Sequence, residues 1–268
     1  MQTFMIYWIN LERDVDRRAW MEPQLEKLGL PACRVPALTP DTLPPWIAER
    51  FLPEASDLVL PGDIGCFASH ILIADQFLKS DFDAAVVLED DVEICCSADQ
   101  LTSFVECASD LDMVKLNDWP KCATVLHTRL PEHRLVRYLR VPRGTGSHIL
   151  TRRGAERLLE RAHRLATAVD NFFRAEGALA LRIGGIVPAP IPQDRFECSS
   201  TDPGRQRNKS RTRKYVYCPP GGDTLRRRVQ FLARELGWPT LVRLQARDLV
   251  MRMRRVKRDV HGAYILER

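Results

Sequence analysis

Glu89, Asp90 and Asp91 are three carboxylates in succession, placed directly after the apolar run Ala84-Ala85-Val86-Val87-Leu88. Carboxylates this close repel one another and lose hydration unless a cation sits among them. Hard oxygen donors favour Mn²⁺ or Mg²⁺, ions that commonly hold substrate phosphates as well. Consecutive strand residues alternate faces, so Glu89 and Asp91 point one way and Asp90 the other. The expected metal ligands are therefore Glu89 and Asp91, at the carboxyl end of a strand, where open α/β sheets bind ligands. The alternative is a strand that leaves the core into an acidic surface turn.

Two further stretches carry side chains suited to the same chemistry. Asn10-Leu11-Glu12-Arg13, with Arg17-Arg18 beyond it, follows the apolar run Phe4–Ile9. There an Asn and an Arg can recognise a nucleotide's base and phosphate, and the amides of a following helix favour an anion. A solvated first turn laced with ion pairs is the other reading, with Asp14 or Asp16 as caps. Gly62-Asp63-Ile64-Gly65-Cys66-Phe67-Ala68-Ser69-His70 sets two glycines before a Ser-His pair. Helix neighbours point about 100° apart, so Ser69 and His70 cannot form a nucleophilic pair, which argues against a serine hydrolase. His70 either hydrogen-bonds a substrate or packs as a structural histidine.

The elements that must position these residues follow from pattern. Phe4–Ile9 predicts a buried strand, and a helix runs from Asp14 or Asp16 to about Leu28, where Gly29 ends it. The proline-rich stretch from Pro31 to Pro61 predicts irregular connection with one short helix at most. A loop at Pro61-Gly62-Asp63 opens a helix with Phe67, Ile71, Ala74 and Leu78 on one face. After the strand 84–88 come a helix near Asp99–Ser109, a strand at Met113–Leu116, and a strand at Thr145–Leu150. A helix with Ala155, Leu158, Leu159 and Ala162 inward follows, then a late strand at Leu181–Val187. Strands alternating with helices predict an α/β fold with a mainly parallel sheet.

A chain of 268 residues suffices for one large α/β domain, or one domain plus a tail. The hydrophobic and charged fractions, 45% and 28%, are those of a soluble globular protein. The net charge of +5 conceals an asymmetry: residues 1–120 carry 22 acidic and 8 basic side chains, residues 121–268 carry 13 and 32. An acidic catalytic half and a basic half facing an anionic partner are expected. No apolar run approaches the roughly 18 residues of a membrane span. Met1 to Leu11 lacks a basic leader region and contains Asn10, so no signal peptide is expected. The eight cysteines form no CxxC pair, which fits reduced thiols in a cytoplasmic protein.

From Thr224 to Val260, ten arginines interleave with Val229, Phe231, Leu232, Leu236, Trp238, Leu241, Leu244, Leu249 and Val250. Such basic amphipathic helices suit an anionic membrane surface, here the inner face of the cytoplasmic membrane, or pack on the domain with a solvated arginine face. No phosphate-cradling Gly-rich loop is present, which argues against a nucleotidyl- or phosphotransferase. A non-catalytic anion- or nucleic-acid-binding protein using the basic half is the competing class. The acidic strand end would repel a polyanion, so no nucleic acid is expected.

Taken in order, four stretches resemble glycosyltransferase family 25, the lipooligosaccharide β-galactosyltransferase family that includes collagen galactosyltransferase domains. They are Ile9 to Arg13 with Arg17-Arg18, Gly62 to His70, Leu88 to Asp91, and Gly144-Thr145 with Gly154-Ala155 and Leu158-Leu159. The resemblance spans roughly residues 4–200. It implies a GT-A-like catalytic domain, here residues 1–220; the composition shift near Pro220 sets off an Arg-rich helical segment, 221–268. It also implies a UDP-sugar donor (usually UDP-galactose), a Mn²⁺ (or Mg²⁺) cofactor, inversion at the anomeric carbon, and a glycan or glycolipid acceptor.

Carried over, Glu89 and Asp91 look like metal ligands, and Asn10, Arg13, His70, Glu89 and Asp90 like donor contacts. Asp170 resembles a later family aspartate near the acceptor and is the first candidate for the base. Asp118, which could equally cap a turn, and His148 stand behind it. His148 occupies a place where the family usually carries Tyr, which puts acceptor stacking there in question. Arg205, Arg207, Lys209 and Arg211 either close over the diphosphate or form a basic loop.

Overall fold

A computed structural model describes residues 3–51, 60–117, 122–162, 168–193, 196, 198–199, 202–206, 224–253 and 265–266. In chain order the elements are β1 (Phe4–Asn10), α1 (Val15–Leu28), β2 (Ala32–Pro36), α2 (Pro45–Phe51), α3 (Pro61–Leu78), β3 (Ala84–Glu89), α4 (Ala98–Cys107) and β4 (Met113–Lys115). Then follow β5 (Thr124–Arg129), β6 (Arg134–Tyr138), β7 (Ser147–Thr151), α5 (Arg152–Arg161), α6 (Val169–Phe173), α7 (Glu176–Leu179) and β8 (Ile183–Val187). The short pair β9 (Cys198–Ser199) and β10 (Asp202–Gln206), the helices α8 (Thr224–Leu236) and α9 (Trp238–Met253), and β11 (Ile265–Leu266) complete the list.

Nine strands form one sheet in the order β11-β5-β6-β8-β4-β7-β3-β1-β2. The α/β class with a central sheet flanked by helices is as expected. The sheet is mixed, however, because β7 runs antiparallel to both β3 and β4, and β6 antiparallel to both β5 and β8. β1 is parallel to β2 and β3, and β4 to β8. The hairpin β5–β6 and the strand β2 were not expected from sequence; β2 lies in the proline-rich stretch, where edge position tolerates Pro36.

Strand alternation divides the core in two. Phe4, Ile6, Trp8, Ala84, Val86 and Leu88 face one layer with Met21 and Leu25 of α1 and Leu101 and Phe104 of α4. Tyr7, Ile9, Ala85 and Val87 face the other, with Phe67, Ile71, Ala74 and Phe77 of α3 and Ala155 and Leu158 of α5. α1 ends where Gly29 takes the left-handed conformation at φ 68°, donating to the Leu25 and Glu26 carbonyls.

The helix α5 lies close because Gly154 leaves no Cβ to strike the Asp112 carbonyl, which would stand 1.9 Å away. Its arginines do not form a solvated stripe. Arg153 Nε and Arg157 Nη1 each donate to the fully buried Asp112 carboxylate at 2.6 Å, and the Arg182 amide adds a third bond at 2.7 Å. Arg152 instead donates to the carbonyls of Leu78, Ser80 and Phe82 at the end of α3.

The helices α8 and α9 pack on the β5 side of the sheet. Leu232, Ala233, Leu236, Leu241 and Leu244 bury against Cys122, Ala123, Val125 and Leu139. Gly177 of α7 lets the α8 backbone approach, since a Cβ there would meet Arg228 Cα at 2.5 Å. Asp248 of α9, itself buried, accepts from the Ala123 amide and from Arg140 Nη2 at 3.1 Å each. Among the described residues no helix is long and apolar enough to cross a membrane.

Candidate functional site

The strand β3 ends at Glu89 between α1 and α3, and Asp90 and Asp91 lie in the turn that follows. Asp90 turns toward α1: Asn10 Nδ2 and Arg17 Nη1 donate to its two oxygens at 2.8 Å each. All three side chains are buried. Burial pushes the Asp90 carboxyl up, against the hydrogen bonds from Arg17 and Asn10 that pull it down. Asn10 also receives Arg34 Nε at 3.0 Å on its own oxygen, so its amide is used within the protein. Arg17 reaches on to Asp91 at 3.7 Å.

Glu89 and Asp91 turn to the opposite side and are bridged by one amide. Gln193 Nε2 donates to Glu89 Oε2 and to Asp91 Oδ1, both at 2.9 Å. Thr145 Oγ1 donates to Glu89 Oε1 at 2.5 Å, and His70 Nε2 lies 3.4 Å from the same oxygen. Burial raises the Glu89 carboxyl, but the bonds from His70, Thr145 and Gln193 outweigh it and hold the group below its usual range. Asp91 behaves oppositely: burial first, then the Glu89 charge, raises it to about 6. A hydrogen-bonded carboxylate beside a second one that resists ionisation is an arrangement that a positive charge would relieve.

The loop before β7 is fastened to bring Thr145 and Gly146 to this place. Lys115 of β4 is buried and directs its ammonium to three carbonyls, those of Pro142 and Arg143 at 3.0 Å and Gly144 at 2.5 Å. The Gly146 carbonyl then accepts from the Glu89 amide at 2.7 Å. Gly146 must lack a side chain, because a Cβ would stand 2.6 Å from Gln193 Cδ. Gln193 itself is held by the bridge between its backbone and Val92.

On the far side α3 presents Cys66 and His70, one turn apart. Gly65 seats the helix against the Leu38 carbonyl, which a Cβ would meet at 2.2 Å, and Ser69 Oγ receives the Leu38 amide at 2.8 Å. Ser69 thus serves packing. Cys66 Sγ lies 3.9 Å from Glu89 Oε1. Its thiol is raised well above the usual range, by burial first and then by the charges of Glu89, Asp63, Asp170 and Asp91. Asp170 belongs to α6, which packs against α3.

The expected residues therefore divide. Glu89, Asp91 and His70 come together, whereas Asp170 lies on α6 and its charge is felt at Cys66. Asn10 and Asp90 are brought to the strand end but bond each other on its α1 side. Arg13 is not brought in: it is two-thirds exposed and, among the described residues, pairs with Asp14 at 3.9 Å, and Arg17 one turn on meets the acids instead. His148 lies beneath the site, its ring stacked on His70 with centroids 5.3 Å apart. It is 2% exposed, and burial followed by the neighbouring His70 depresses its pKa far below the usual range, so it stands there as a neutral ring. Asp118, Arg207, Lys209 and Arg211 lie outside the described residues.

Gln193 and Lys115 were not singled out from sequence, and Thr145 was named there only as part of a motif, without a role. A lysine inside an apolar strand is a signal of a buried task; Gln193 carries no sequence signal. The donor set fits a hard divalent cation. Two carboxylates converge on one point, the group between them is a neutral amide whose oxygen can replace its NH₂ by rotation, and Asp91 gains from a positive neighbour. Glu89 and Asp91 would hold the ion.

The family model "Glycosyltransferase family 25 (LPS biosynthesis protein)" matches residues 3–173. A "Glycosyltransferase 25 family member" of Anopheles gambiae is 35% identical over 96 residues, and one of Aedes aegypti 37% over 97, each match covering 32% of this chain. The chain spans 16% of the length of those relatives. The crystal structure of a glycosyltransferase involved in glycosylation of the major capsid of PBCV-1 aligns over 59% of this chain and 62% of its own, at 12% identity and a TM-score of 0.30, too loosely to argue from.

Proposed function

The chain belongs to glycosyltransferase family 25, and from that premise we propose that it moves a hexose, galactose first among candidates, from a UDP-sugar to a hydroxyl of a glycan acceptor such as lipooligosaccharide. The observation that carries this reading is the convergence of Glu89 and Asp91 on one Gln193 amide at the end of β3, with Asp91 raised to about 6. Mn²⁺ or Mg²⁺ bound by the pair would supply charge for the departing diphosphate.

The chain's own residues do the rest. Thr145 and His70 hold the Glu89 carboxylate ionised and aimed, while the brace of Asn10, Arg17 and Asp90 fixes the strand end from behind. Asp170 takes the proton of the acceptor hydroxyl, a step of the kind that contributes about 10²–10⁴-fold in rate, with inversion at the anomeric carbon. His148 sets the height of His70 by stacking beneath it. A basic group lies beside Asp170: Arg174, exposed, feels Arg143, Arg140 and Arg228 as well as Asp170. Those arginines suit an acceptor that carries anionic groups.

The acceptor side extends to α9. Its inward face is buried, whereas Trp238, Val242, Leu249 and Met253 form an outward stripe at helical spacing, 58–75% exposed. Exposed arginines such as Arg226, Arg234 and Arg243 lie on the same two helices. Apolar side chains among arginines match an anionic lipid surface, so the protein sits peripherally at the inner face of the cytoplasmic membrane, where a lipid-linked acceptor is presented. The residues beyond 220 act as a membrane-facing addition to the catalytic region 1–220.

The test is a panel of UDP-sugars with Mn²⁺, scored by metal-dependent UDP release with and without acceptor. Asp91→Asn should reduce turnover at least about 100-fold with the fold intact, as loss of transition-state charge stabilisation does. Near-normal turnover in that variant, or no turnover of any UDP-sugar, would reject the reading.

A further inference from the structure

The side of Glu89 turned away from Asp91 faces a different set of donors. Cys66 and His70 are i and i+4 on α3, so both side chains leave the same face of the helix. Cys66 Sγ, a ring nitrogen of His70 and a carboxylate oxygen of Glu89 lie within 4.8 Å of one another. Two of these separations are short: His70 Nε2 to Glu89 Oε1 is 3.4 Å, and Cys66 Sγ to the same oxygen is 3.9 Å. Zinc bonds of about 2.3 Å to sulfur and 2.0–2.2 Å to nitrogen and oxygen, set at tetrahedral angles, require ligand-to-ligand distances of about 3.4–3.6 Å. Side-chain rotations of a few tenths of an ångström for two pairs, and at most about 1.2 Å for the third, reach that arrangement.

Other features of the place favour an ion over a packed contact. The His70 side chain is 2% exposed and its Nε2 addresses Glu89 Oε1 at 3.4 Å; Nδ1, which has no hydrogen-bond partner among the described residues, would carry the ring proton once Nε2 holds an ion. The helix bearing both donors is fixed by Gly65 and Ser69 against Leu38, which pre-positions them. Three protein ligands leave the fourth position of a tetrahedral ion open, and Asp63 and Asp170 stand close enough for their charges to act on the Cys66 sulfur.

We infer that Cys66, His70 and Glu89 form a second metal site, selective for a thiophilic cation such as Zn²⁺, which shares Glu89 with the hard-cation pair and thereby shuts it. A sulfur and an imidazole bind Zn²⁺ far more tightly than Mn²⁺ or Mg²⁺. Binding replaces the Cys66 S–H bond with an S–Zn bond and releases the thiol proton to solvent. Glu89 Oε1 then leaves Thr145 for the ion, and a carboxylate whose charge is spent on Zn²⁺ attracts a hard cation at Oε2 and Asp91 less strongly. The site is thus inhibitory. This consequence rests on the proposed transferase reading; the binding itself does not.

The experiment uses the full chain, stripped of metal and titrated with Co²⁺ as a spectroscopic stand-in, then with Zn²⁺. Wild type should show a thiolate-to-cobalt charge-transfer band in the near ultraviolet that Zn²⁺ abolishes, and Cys66→Ser should lack it while unfolding at an unchanged temperature. Zinc affinity should fall more than about 100-fold in Cys66→Ser and in His70→Gln, since even indirect supports of a metal ligand are worth 10–100-fold. Turnover of wild type in Mn²⁺ should be stopped by zinc at far lower concentration than that of Cys66→Ser, each compared with its own zinc-free rate. A band of equal strength in both proteins, coming from another cysteine, or no band in either, would overturn the inference. A Cys66-dependent band in a protein that turns over no UDP-sugar would uphold the metal site and sink the transferase reading instead.

Discussion

Replacing Asp91 by Asn should stabilise the metal-free protein at neutral pH while it destroys the response to metal. In the folded chain burial and the Glu89 charge raise Asp91 from the ordinary 3.8 to about 6, and its side chain is 14% exposed. An acid raised on folding holds its proton longer in the native state than in the unfolded one. Stability therefore falls as pH rises from near 4 to near 6, and the loss is complete above that. At about 1.4 kcal/mol per pH unit the loss approaches 3 kcal/mol. Asn removes it and can still accept from Gln193 Nε2 through its amide oxygen.

Urea unfolding in chelator, run at several pH values from 4 to 7.5, is the assay. The difference between Asp91→Asn and wild type should start near zero at pH 4 and grow to about 2–3 kcal/mol by pH 7. Added Mn²⁺ should then stabilise wild type and leave the variant unmoved, because a ligand that binds only the native state adds stability in proportion to the logarithm of its concentration. A difference independent of pH, or a variant less stable than wild type at pH 7 in chelator, would refute the claim that two buried carboxylates strain against each other here.

Other expectations follow from the same coordinates. Gly146→Ala drives a methyl into the place of the Gln193 side chain and should lower metal affinity by about 10–100-fold, read by isothermal calorimetry, with little change in the unfolding temperature. Arg17→Met leaves Asp90 buried beside Asn10 alone and should destabilise by about 3–5 kcal/mol in chemical denaturation. Trp238→Ser with Leu249→Ser should cut binding to phosphatidylglycerol vesicles at least tenfold in sedimentation, with the fold unchanged because both side chains face outward. Deleting everything beyond residue 220 is the poorer test, since it would strip the cover from Val125 and Leu139.

Much of this was legible in the residues, for identifiable reasons. A run of small and β-branched side chains at 84–88 has few homes other than a central strand, and period-two alternation then orients Glu89, Asp90 and Asp91 without further knowledge. Gly29 marks the end of α1 because the left-handed conformation is open to it. The antiparallel course of β7 was hidden: helix–strand alternation predicts crossovers but not their direction, which long-range pairing of Val86 with Ile149 decides. The β5–β6 hairpin was also hidden, its arginines and histidines masking alternation that only burial against α8 and α9 makes sense of. At the site, Arg13 and Arg17 look alike in sequence, and one helical turn separates a solvated charge from a buried one. Gln193 comes from a loop whose position depends on chain far from any motif.

Lys115 has a consequence for how the protein can be watched at work. Its amine is fully engaged by the carbonyls of residues 142, 143 and 144, so amine-reactive reagents can modify it only while that segment lifts away. The segment delivers Thr145 and Gly146 to Glu89. The pace of Lys115 labelling is therefore a clock for the opening of the reaction chamber's own doorframe, readable by mass spectrometry in a protein that carries no added probe.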